Sequence, residues 1–521
     1  LGDEAVALAA IDAGISGAYS YPGTPATEIF EFIAKYSEEK DIHAFWSSNE
    51  KVAYESALGM SFAGKRSIVS MKHVGLNVAA DAFVNSAITG VHGGLVLVVA
   101  DDPGMHSSQN EQDSRYLAHF ALIPCLEPSN QQEAYEMTRY AFDLSEEQRL
   151  PVMIRLVTRL AHSRADVIPQ QSCEQKPLDK TENTECFTLL PSNARVQYKK
   201  LTEKQPALLK LSENSDYNIL NLSPSDKTKG IITNSVAYNY LREVFDGNVP
   251  FPVLRIGFYP IPSRKIRKFI ESTDEVIVFE EGYPYIEEQI RGVACSKLEK
   301  IRGKLDGFFP RTGETTPAIA AEGFGLSPLN SVSSTIEDIP NRPPALCNGC
   351  PHIDAFFDIK EAVKNYEQPA LFSDIGCYTL GFYPPYNAIE SCVDMGASVS
   401  MSIGAAHAGM FPVICTIGDS TFAHSGMTGL LTAAKENLNM NVIILDNDTV
   451  AMTGTQETMA TGDDLVKIIL GLGIAPEHVN VFIPLAKHRK DNVKLLREEI
   501  EYPGLSVLIS KRACVHIARK L

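Results

Sequence analysis

The chain has 521 residues, of which 44 % are hydrophobic, and a formal net charge of −17. Its length predicts about three domains at ~150 residues each. The charge argues against a nucleic acid or an anionic membrane as partner, because either would require a basic face. No apolar run approaches the roughly 20 residues of a membrane span, and ten scattered cysteines do not make a disulfide scaffold, so we expect a cytoplasmic protein with free thiols.

Strand-like and helix-like patterns alternate in three blocks, which predicts an α/β protein of three doubly wound domains with mostly parallel sheets. The first block, 1–165, contains the apolar run "GGLVLVVADD" between helical patterns. The second block, 228–306, alternates three strands with three helices. The third block, 344–521, has "FPVICTIGDS", "NMNVIILDND" and "GLSVLISKRA" as its clearest strands. Between the blocks, 166–227 is predicted to be a linker or a peripheral excursion, and 307–343 a linker.

Two polar residues of the third block lie at the ends of neighbouring predicted strands. Asp419 follows "FPVICTI" through Gly418, and Asn447 follows "NVIIL" 28 residues further on. Open α/β sheets bind ligands at the carboxyl ends of their strands. Carboxylate, amide and carbonyl oxygens suit Mg²⁺ completed by phosphate oxygens, so the pair predicts a site for a diphosphate cofactor, with a helix starting near Gly426 directed at the anion. Each fragment alone is equally typical of a turn that closes a strand.

The residues around this pair resemble a known family. Gly418-Asp419-Ser420 followed by Asp446-Asn447 is similar to the thiamine-diphosphate motif. The stretches "SYPGTPATEIFE", "SSNEKVAYESALGMSFAGKRSIVSMKHVGLNVAAD", "CNGCPH", "DIGCYTLG", "DMGASVSMSIGAAHA" and "LDNDTVAMTG" resemble the large subunits of the indolepyruvate:ferredoxin oxidoreductases, within the 2-oxoacid:ferredoxin oxidoreductases. The resemblance implies a pyrimidine-binding thiamine domain in the first block, a small transketolase-C-terminal-like domain in the second, and a diphosphate-binding thiamine domain in the third.

The resemblance implies cofactor contacts in the third block. Asp419, Asn447 and the carbonyl group of Thr449 would bind Mg²⁺. Met395 would support the bent conformer of the cofactor, although a flexible core filler is an equally good interpretation of a methionine there. The full implied set in this block is Gly376, Cys377, Met395, Gly418, Asp419, Ser420, Asn447 and Thr449.

The first block would supply the catalytic groups. Thiamine chemistry needs a carboxylic acid on the pyrimidine ring, and Glu50 in "SNEKVAYE" matches the family's acid, whereas Glu55 does not. From position alone, Glu50 is a first-turn glutamate that complements a helix dipole. Thr24 in "YPGTP" matches the residue that contacts the substrate carboxylate, and it is also typical of a turn before a helix. His73 and Asn77 would be polar residues near the site, or a buried histidine satisfied by backbone.

The cysteines suggest a second cofactor. Cys347-x2-Cys350 is the one CxxC in the chain, and the resemblance adds Cys377 and Cys514 as ligands of a 4Fe-4S cluster. Spacing alone equally fits a zinc site with four cysteines, and Cys377 and Cys514 could also be ordinary buried thiols. The remaining cysteines are unassigned: Cys125, Cys173, Cys186, Cys295, Cys392 and Cys415.

The resemblance implies the oxidative decarboxylation of aryl 2-oxoacids, such as indolepyruvate and phenylpyruvate, with coenzyme A to acyl-CoA and CO2. Electrons would pass through iron-sulfur centres to ferredoxin. The implied protein partners are a small subunit and a second copy of the chain, because thiamine enzymes of this type build each site between two sheets. Nothing in the residues themselves fixes the aryl group.

Two features depart from the family pattern. The 521 residues contain no paired C-x2-C-x2-C-x3-C-P runs of a two-cluster ferredoxin domain, and "CNGCPH" is not followed by the family's frequent arginine. A non-oxidative thiamine-diphosphate-dependent decarboxylase, or a catalytically silent cofactor-binding subunit, therefore stays an alternative. A nicotinamide dinucleotide site is disfavoured because no G-x-G-x-x-G follows a first strand.

Overall fold

The computed structural model describes residues 1–179, 185–294, 298–327 and 344–518. Its contacts divide the chain into two compact units, Leu1–Ser334 and Thr335–Leu521. Within the described residues the sheets are mostly parallel and alternate with helices along the chain, which confirms the expected α/β class. No helix in these ranges combines the length and the apolar character needed to cross a bilayer.

The first unit contains twelve described strands and twelve described α-helices. The strands are β1 (Gly17–Ser20), β2 (His43–Trp46), β3 (Ser67–Lys72), β4 (Leu95–Asp101), β5 (Cys125–Leu126), β6 (Val152–Val157), β7 (Ile219–Asn221), β8 (Lys229–Asn234), β9 (Val253–Ile256), β10 (Phe258–Tyr259), β11 (Glu275–Phe279) and β12 (Ile301–Arg302). The helices are α1 (Gly2–Asp12), α2 (Thr27–Tyr36), α3 (Glu50–Phe62), α4 (His73–Thr89), α5 (Arg115–Phe120), α6 (Gln131–Gln148), α7 (Thr158–His162), α8 (Pro191–Asn214), α9 (Ser235–Val244), α10 (Ser263–Glu271), α11 (Tyr285–Ala294) and α12 (Pro317–Gly323).

These strands form a seven-stranded sheet of order β10-β5-β6-β4-β3-β1-β2 and a five-stranded sheet of order β12-β11-β8-β9-β7. Strand β4 shows why the larger sheet is covered on both faces. Leu95, Leu97 and Val99 enter one hydrophobic core, and Val96 and Val98 enter the other. Successive side chains of a strand point to opposite faces, so a continuous apolar run supplies two cores.

The two sheets of the first unit share one hydrophobic core. Phe83 of α4 and Leu254 of β9 belong to the same buried cluster, although they come from different predicted blocks. Strand β10 leaves the second block and pairs antiparallel with β5 of the larger sheet. The buried guanidinium of Arg115 lies 3.1 Å from the Glu280 carboxylate and adds an ion pair between the blocks. Residues 1–165 and 228–306 therefore pack as one compact unit.

The stretches predicted as linkers contain regular structure. Helix α8 lies within 166–227, and its Leu201 and Leu208 side chains are buried in the shared core. Helix α8 is mainly polar and its few apolar residues are widely spaced, so the sequence shows no evident amphipathic pattern. Helix α12 lies within 307–343, whose part from residue 328 onward falls outside the described residues.

The second unit forms one five-stranded parallel sheet of order β13-β14-β15-β17-β16. The strands are β13 (Ala370–Ser373), β14 (Val413–Gly418), β15 (Met440–Asp446), β16 (Val479–Phe482) and β17 (Leu505–Lys511). The helices are α13 (Pro351–Val363), α14 (Ala397–His407), α15 (Asp419–Thr421), α16 (Met427–Glu436), α17 (Gly462–Gly471), α18 (Arg489–Ile500) and α19 (Val515–Ala518).

The helix expected to start near Gly426 is α16, which begins at Met427, but helical backbone already exists before it. Helical residues begin at Asp419, and a π turn, Phe422–Gly426, connects α15 to α16. A Cβ atom on Gly426 would stand 2.7 Å from the Cδ1 atom of Ile417. Gly426 thus precedes α16 and lets the helical segment approach β14 closely.

Candidate functional site

Asp419 and Asn447 meet at the carboxyl edge of the second unit's sheet. Strands β14 and β15 are parallel, with Gly418 opposite Leu445, so both polar residues leave the sheet at the same edge. Their side chains are buried, with 2 % of Asp419 and 7 % of Asn447 exposed. The backbone of Asn447 lies close enough to the Asp419 carboxylate to lower its pKa. The structure therefore brings together the two residues that spacing had placed side by side.

The carboxylate of Asp419 is only half satisfied by protein groups. Its Oδ1 accepts a hydrogen bond of 2.8 Å from the Ser420 amide, whereas Oδ2 is buried without a hydrogen-bond partner. Burial raises the pKa of Asp419, and the nearby carboxylates of Asp446 and Asp448 raise it further. A divalent cation at Oδ2 would satisfy the open oxygen and balance the clustered charge. The residues present therefore fit a Mg²⁺ ion.

The neighbouring residues hold the second oxygen donor in place. The Oδ1 atom of Asn447 accepts a 3.2 Å hydrogen bond from the Thr449 amide, and its Nδ2 atom lies 3.4 Å from Nε2 of His352. Burial lowers the pKa of His352 to about 4, so the imidazole is neutral at pH 7 and can accept from Nδ2. Asp446, in contrast, accepts hydrogen bonds from the Thr461 hydroxyl and the Gly462 amide and so holds the start of α17.

Two glycines of the candidate diphosphate site leave no room for a side chain. Tyr378 packs across both, since a Cβ atom would stand 2.2 Å from its ring at Gly376 and 2.8 Å at Gly418. The Tyr378 hydroxyl donates a 2.8 Å hydrogen bond to the Ile375 carbonyl. Cys377 opens a short 3₁₀ helix, Cys377–Phe382, directly after this turn. The Tyr378 ring therefore occupies the space that a side chain at either glycine would need.

Asp374 is a site residue that sequence reasoning missed. It follows β13, is fully buried, and accepts hydrogen bonds of 2.9 Å from the Gly396 amide and 3.0 Å from the Ser398 amide. Gly396 has φ +97°, and an added Cβ atom would stand 2.7 Å from Cβ of Ser425. Asp374 thus ties the turn that carries the half-buried Met395 to the end of the sheet. An acid after an apolar strand was the available signal, the same one that pointed to Asp419.

The four cysteines assigned by resemblance are neighbours in the second unit. Burial raises the pKa values of Cys350 and Cys377 to about 11, and the other thiols, including those of Cys347 and Cys514, raise them further. The Cys514 amide donates a 3.0 Å hydrogen bond to the Asn447 carbonyl, which places this thiol beside the candidate metal site.

The sulfur atoms are spread more widely than one metal ion requires. No three of them lie within 4.8 Å of one another, as judged over the part of the chain that the structure describes. In a tetrahedral zinc site with Zn–S bonds of about 2.3 Å, any two sulfur atoms would lie about 3.8 Å apart. In a 4Fe-4S cluster each thiolate binds a different iron atom, so the four cysteine sulfur atoms lie further apart than in a zinc site. The four thiols therefore do not stand at the contact distances of a tetrahedral zinc site.

Glu50 of the first unit opens α3 in a buried position. The Asn49 side chain caps the helix by accepting a 2.9 Å hydrogen bond from the Val52 amide. Glu50 is 5 % exposed, and its Oε1 atom would stand 2.5 Å from a Cβ atom on Gly75 of α4. Glu55, one turn on, is exposed and ion-paired with Lys51. Burial thus separates the two glutamates that sequence position alone left similar.

Thr24 lies next to a buried lysine that sequence reasoning also missed. The Thr24 carbonyl accepts a 3.2 Å hydrogen bond from the Ser107 hydroxyl, and the Ser107 carbonyl accepts one of 2.7 Å from Nζ of Lys72. Lys72 is 9 % exposed, and burial lowers its pKa to about 8 against the opposing charge of Asp102. The signal was a lysine at the carboxyl end of a predicted strand.

His73 and Asn77 share one face of α4. Nε2 of His73, which is buried, lies 3.3 Å from Oδ1 of Asn110, and the exposed Asn77 amide donates a 3.1 Å hydrogen bond to Gln112. Both side chains border a cavity of about 420 Å³ within the first unit. The structure therefore groups them at a cavity without assigning either a chemical role.

Two family models match the regions that contain these residues. The family described as pyruvate flavodoxin/ferredoxin oxidoreductase, thiamine diphosphate-binding, matches residues 8–216, which include Thr24 and Glu50. The C-terminal TPP-binding domain of thiamine pyrophosphate enzymes matches residues 374–507, which include Asp419 and Asn447. The matched segments thus contain the acid and the oxygen donors described above.

Several curated proteins are similar to this chain over nearly its whole length. It is 37 % identical over 538 residues to the indolepyruvate oxidoreductase subunit IorA of Methanothermobacter thermautotrophicus, covering 99 % of this chain and 86 % of that protein. It is 37 % identical over 548 residues to the IorA subunit of Archaeoglobus fulgidus, with the same coverage.

Among solved structures, a 2-oxoglutarate:ferredoxin oxidoreductase from Magnetococcus marinus matches 62 % of this chain and 64 % of its own, with a TM-score of 0.50 and 18 % identity. This likeness supports the α/β fold. The curated relatives establish the kinship: the chain belongs to the IorA subunits of the indolepyruvate oxidoreductases, which are thiamine-diphosphate-dependent 2-oxoacid:ferredoxin oxidoreductases.

Proposed function

We propose that this chain catalyses the oxidative decarboxylation of aryl 2-oxoacids, such as indolepyruvate and phenylpyruvate, to acyl-CoA and CO2 with ferredoxin as electron acceptor. The observation that carries the proposal is the buried Asp419 carboxylate, whose open oxygen lies beside Asn447 in a thiamine-binding domain. The names of the curated relatives support indolepyruvate as substrate. The Magnetococcus enzyme, which was solved with bound coenzyme A and succinyl-CoA, supports coenzyme A as acyl acceptor.

In this proposal the second unit holds the metal ion and the diphosphate. Asp419 contributes Oδ2, Asn447 contributes Oδ1, and Thr449 contributes its backbone carbonyl to Mg²⁺. Thiamine diphosphate supplies, when bound, a nucleophilic carbon and an electron sink that no side chain offers. The proposed contacts to the cofactor are Gly376, Cys377, Met395, Gly418 and Ser420. Asp374 positions Met395 through the amides of the following turn.

Glu50 is the proposed acid on the pyrimidine ring. Its role is to hold a proton at a carboxylate oxygen within reach of a ring nitrogen. Burial supports this role, because a carboxyl group shielded from water keeps a directed hydrogen bond that solvent would otherwise replace. Gly75 supports it as well, since any larger residue of α4 would displace the Glu50 carboxylate.

Thr24 and Lys72 are proposed to bind the carboxylate of the 2-oxoacid. A hydroxyl and an ammonium group can each donate a charge-assisted hydrogen bond to a carboxylate, and the ammonium group adds an ion pair. Lys72 is a buried cation in a chain of net charge −17, and Ser107 connects it to the backbone of Thr24. A carboxylate would be the natural counter-ion for such a group.

Cys347, Cys350, Cys377 and Cys514 are proposed to hold a 4Fe-4S cluster. The proximity of the four thiols to one another and the contact of Cys514 with Asn447 support a cluster close to the cofactor. A cluster would take up electrons one at a time, as transfer to ferredoxin requires. We propose further that the active form contains a small subunit and a symmetric dimer of this chain, in the cytoplasm, where free thiols persist.

An anaerobic assay with indolepyruvate, coenzyme A and a viologen dye tests the proposal, with and without the small subunit. We expect dye reduction that requires both indolepyruvate and coenzyme A, in brown protein that contains iron and sulfide. Aldehyde release without an electron acceptor would instead establish a non-oxidative decarboxylase. Absence of turnover despite bound cofactor would leave a silent subunit, and colourless protein with stoichiometric zinc would exclude the cluster.

A further inference from the structure

A buried carboxylate in the first turn of α1 lies close to a glutamate and a histidine, two residue types that commonly bind metal ions in proteins. The Asp3 side chain is 0 % exposed, and neither of its oxygens has a hydrogen-bond partner. Glu28 lies in the first turn of α2, and His162 is the last residue of α7. One potential ligand atom from each residue lies within 4.8 Å of the other two. Over the described ranges, no other group of three or more His, Cys, Asp or Glu residues meets that spacing.

The local packing of three helices holds this group in place. A Cβ atom on Gly2 would stand 2.1 Å from the Leu160 carbonyl oxygen, so only glycine lets the start of α1 approach α7 this closely. The approach brings Asp3 beside His162. The Thr27 hydroxyl, which accepts a 3.0 Å hydrogen bond from the Gly23 amide, fixes the turn before Glu28.

The N-terminal ammonium group of Leu1 opposes the rise in the pKa of Asp3, but it pairs with Glu4 at 2.7 Å and does not hydrogen-bond to Asp3. Nε2 of His162 lies 3.7 Å from Oε1 of Glu28, and both side chains are about one-third exposed, at 37 % and 35 %. The Oε2 atom of Glu28 is buried and has no hydrogen-bond partner either. Burial raises the pKa of Asp3, and the Glu28 carboxylate raises it further. Two adjacent carboxylates need either a shared proton or a cation between them.

We propose that Asp3, Glu28 and His162 bind a divalent transition-metal ion, with Zn²⁺ as the best match. An imidazole with two carboxylates suits Zn²⁺, whereas Mg²⁺ and Ca²⁺ prefer oxygen donors throughout. The partial exposure of Glu28 and His162 leaves access for a water molecule as fourth ligand. The ion would cross-link the starts of α1 and α2 to the end of α7. This site consists of residues other than those proposed to bind the cofactor or substrate, and it does not depend on the proposed activity.

Zinc binding by the full-length chain tests the site, with metal content and thermal unfolding as readouts. The thiols could also take up zinc, so the comparison is between variants: Asp3→Asn, Glu28→Gln and His162→Gln against a matched control pair. The controls are His407→Gln and Glu436→Gln, because these residues form a 2.9 Å pair, both half-exposed, in the second unit. The fluorescence of Trp46, the single tryptophan, reports on α2 through its ring contact with Phe30 at 4.1 Å.

We expect the wild type and both controls to bind one more zinc ion per chain than the three site variants. Zinc should raise the midpoint of the Trp46 transition in the wild type and controls only, and any residual binding at the altered site should be weaker by about tenfold or more. Asp3→Asn keeps the volume and can donate to Glu28, so it should fold. Equal zinc content in the wild type and His162→Gln, or no effect of zinc on the Trp46 transition, would overturn the proposal in favour of a shared proton.

Discussion

Replacing Lys72 by methionine should make the first unit more stable and the enzyme less active. The substitution exchanges a buried ammonium group for an apolar side chain of similar length. Lys72 is 9 % exposed and donates hydrogen bonds of 2.7 Å to the Ser107 carbonyl and 3.4 Å to the Ser107 hydroxyl. Burial is the main cause that lowers its pKa from 10.5 to about 8, so the folded chain holds this proton less tightly than the unfolded chain does.

The magnitude follows from the two pKa values. At about 1.4 kcal/mol per pH unit, a fall from 10.5 to about 8 corresponds to about 3 kcal/mol of unfolding free energy. Below pH 8 both states carry the proton, and the folded state bears this whole cost. Between pH 8 and 10.5 the unfolded state binds more protons, so the free energy of unfolding rises with pH. The loss of hydrogen bonding to Ser107 offsets about 1 kcal/mol, which leaves Lys72→Met about 2 kcal/mol more stable than the wild type at pH 7.

Urea unfolding followed by Trp46 fluorescence measures this difference, since the single tryptophan lies in β2 of the first unit. We expect the advantage of Lys72→Met to shrink as the pH rises from 7 to 10. Activity should change in the opposite direction, because loss of a charge-assisted hydrogen bond of about 1.5–3 kcal/mol lowers kcat/KM by about 10- to 100-fold. Lys51→Met, at an exposed lysine paired with Glu55, is the control and should change neither quantity. A less stable Lys72→Met at pH 7 would refute the reasoning about burial, and unchanged kcat/KM would refute the substrate contact.

Three further substitutions test the other groups. Glu50→Gln should lower kcat by about 10²- to 10⁴-fold with cofactor binding retained. The control Glu55→Gln, at an exposed glutamate, should match the wild type in steady-state assays. Equal loss of kcat in both variants would remove Glu50 from its role. Mg²⁺ and thiamine diphosphate should stabilise the wild type by about 2.7 kcal/mol at a hundredfold excess over Kd and so raise its thermal midpoint, and Asp419→Asn should abolish this rise. Without metal, the variant should unfold no earlier than the wild type, because a buried charge without a hydrogen-bond partner at Oδ2 is gone. The Cys350→Ser variant, purified anaerobically, should lack iron and sulfide, whereas the Cys173→Ser control, altered at an exposed cysteine of the first unit, should keep both. Full iron content in Cys350→Ser would contradict the proposed ligand set.

The sequence predicts the central strands well because their pattern is local. The apolar runs of β4, β14 and β15 are long and uninterrupted, so they indicate buried parallel strands without knowledge of their neighbours. Helix α8 was missed for the opposite reason. Its two fully packed leucines, Leu201 and Leu208, are recognisable as a core face only once α4 lies against them.

The residues of the candidate site divide in the same way. Asp419 and Asn447 follow predicted strands at a typical spacing, and their proximity in the structure agrees with that prediction. Asp374 and Lys72 also stand at strand ends, but that position alone does not show that their side chains are buried, and His352 lies in the first turn of α13 without any such signal. Their partners are distant in sequence: the Gly396 amide is 22 residues from Asp374, and Asn447 is 95 residues from His352.

The amino-acid sequence by itself determined the α/β class, the family and the positions where acids and amides leave the strands. These properties depend on side-chain periodicity and turn residues within a few positions of one another. Only the tertiary structure decided that Glu50 is buried while Glu55 is exposed, that Lys72 is a buried cation, and that Asp3 lies unpartnered beside Glu28 and His162. Burial and charge pairing are set by contacts between helices and strands far apart in the chain, and these contacts determine which polar groups can bind a ligand.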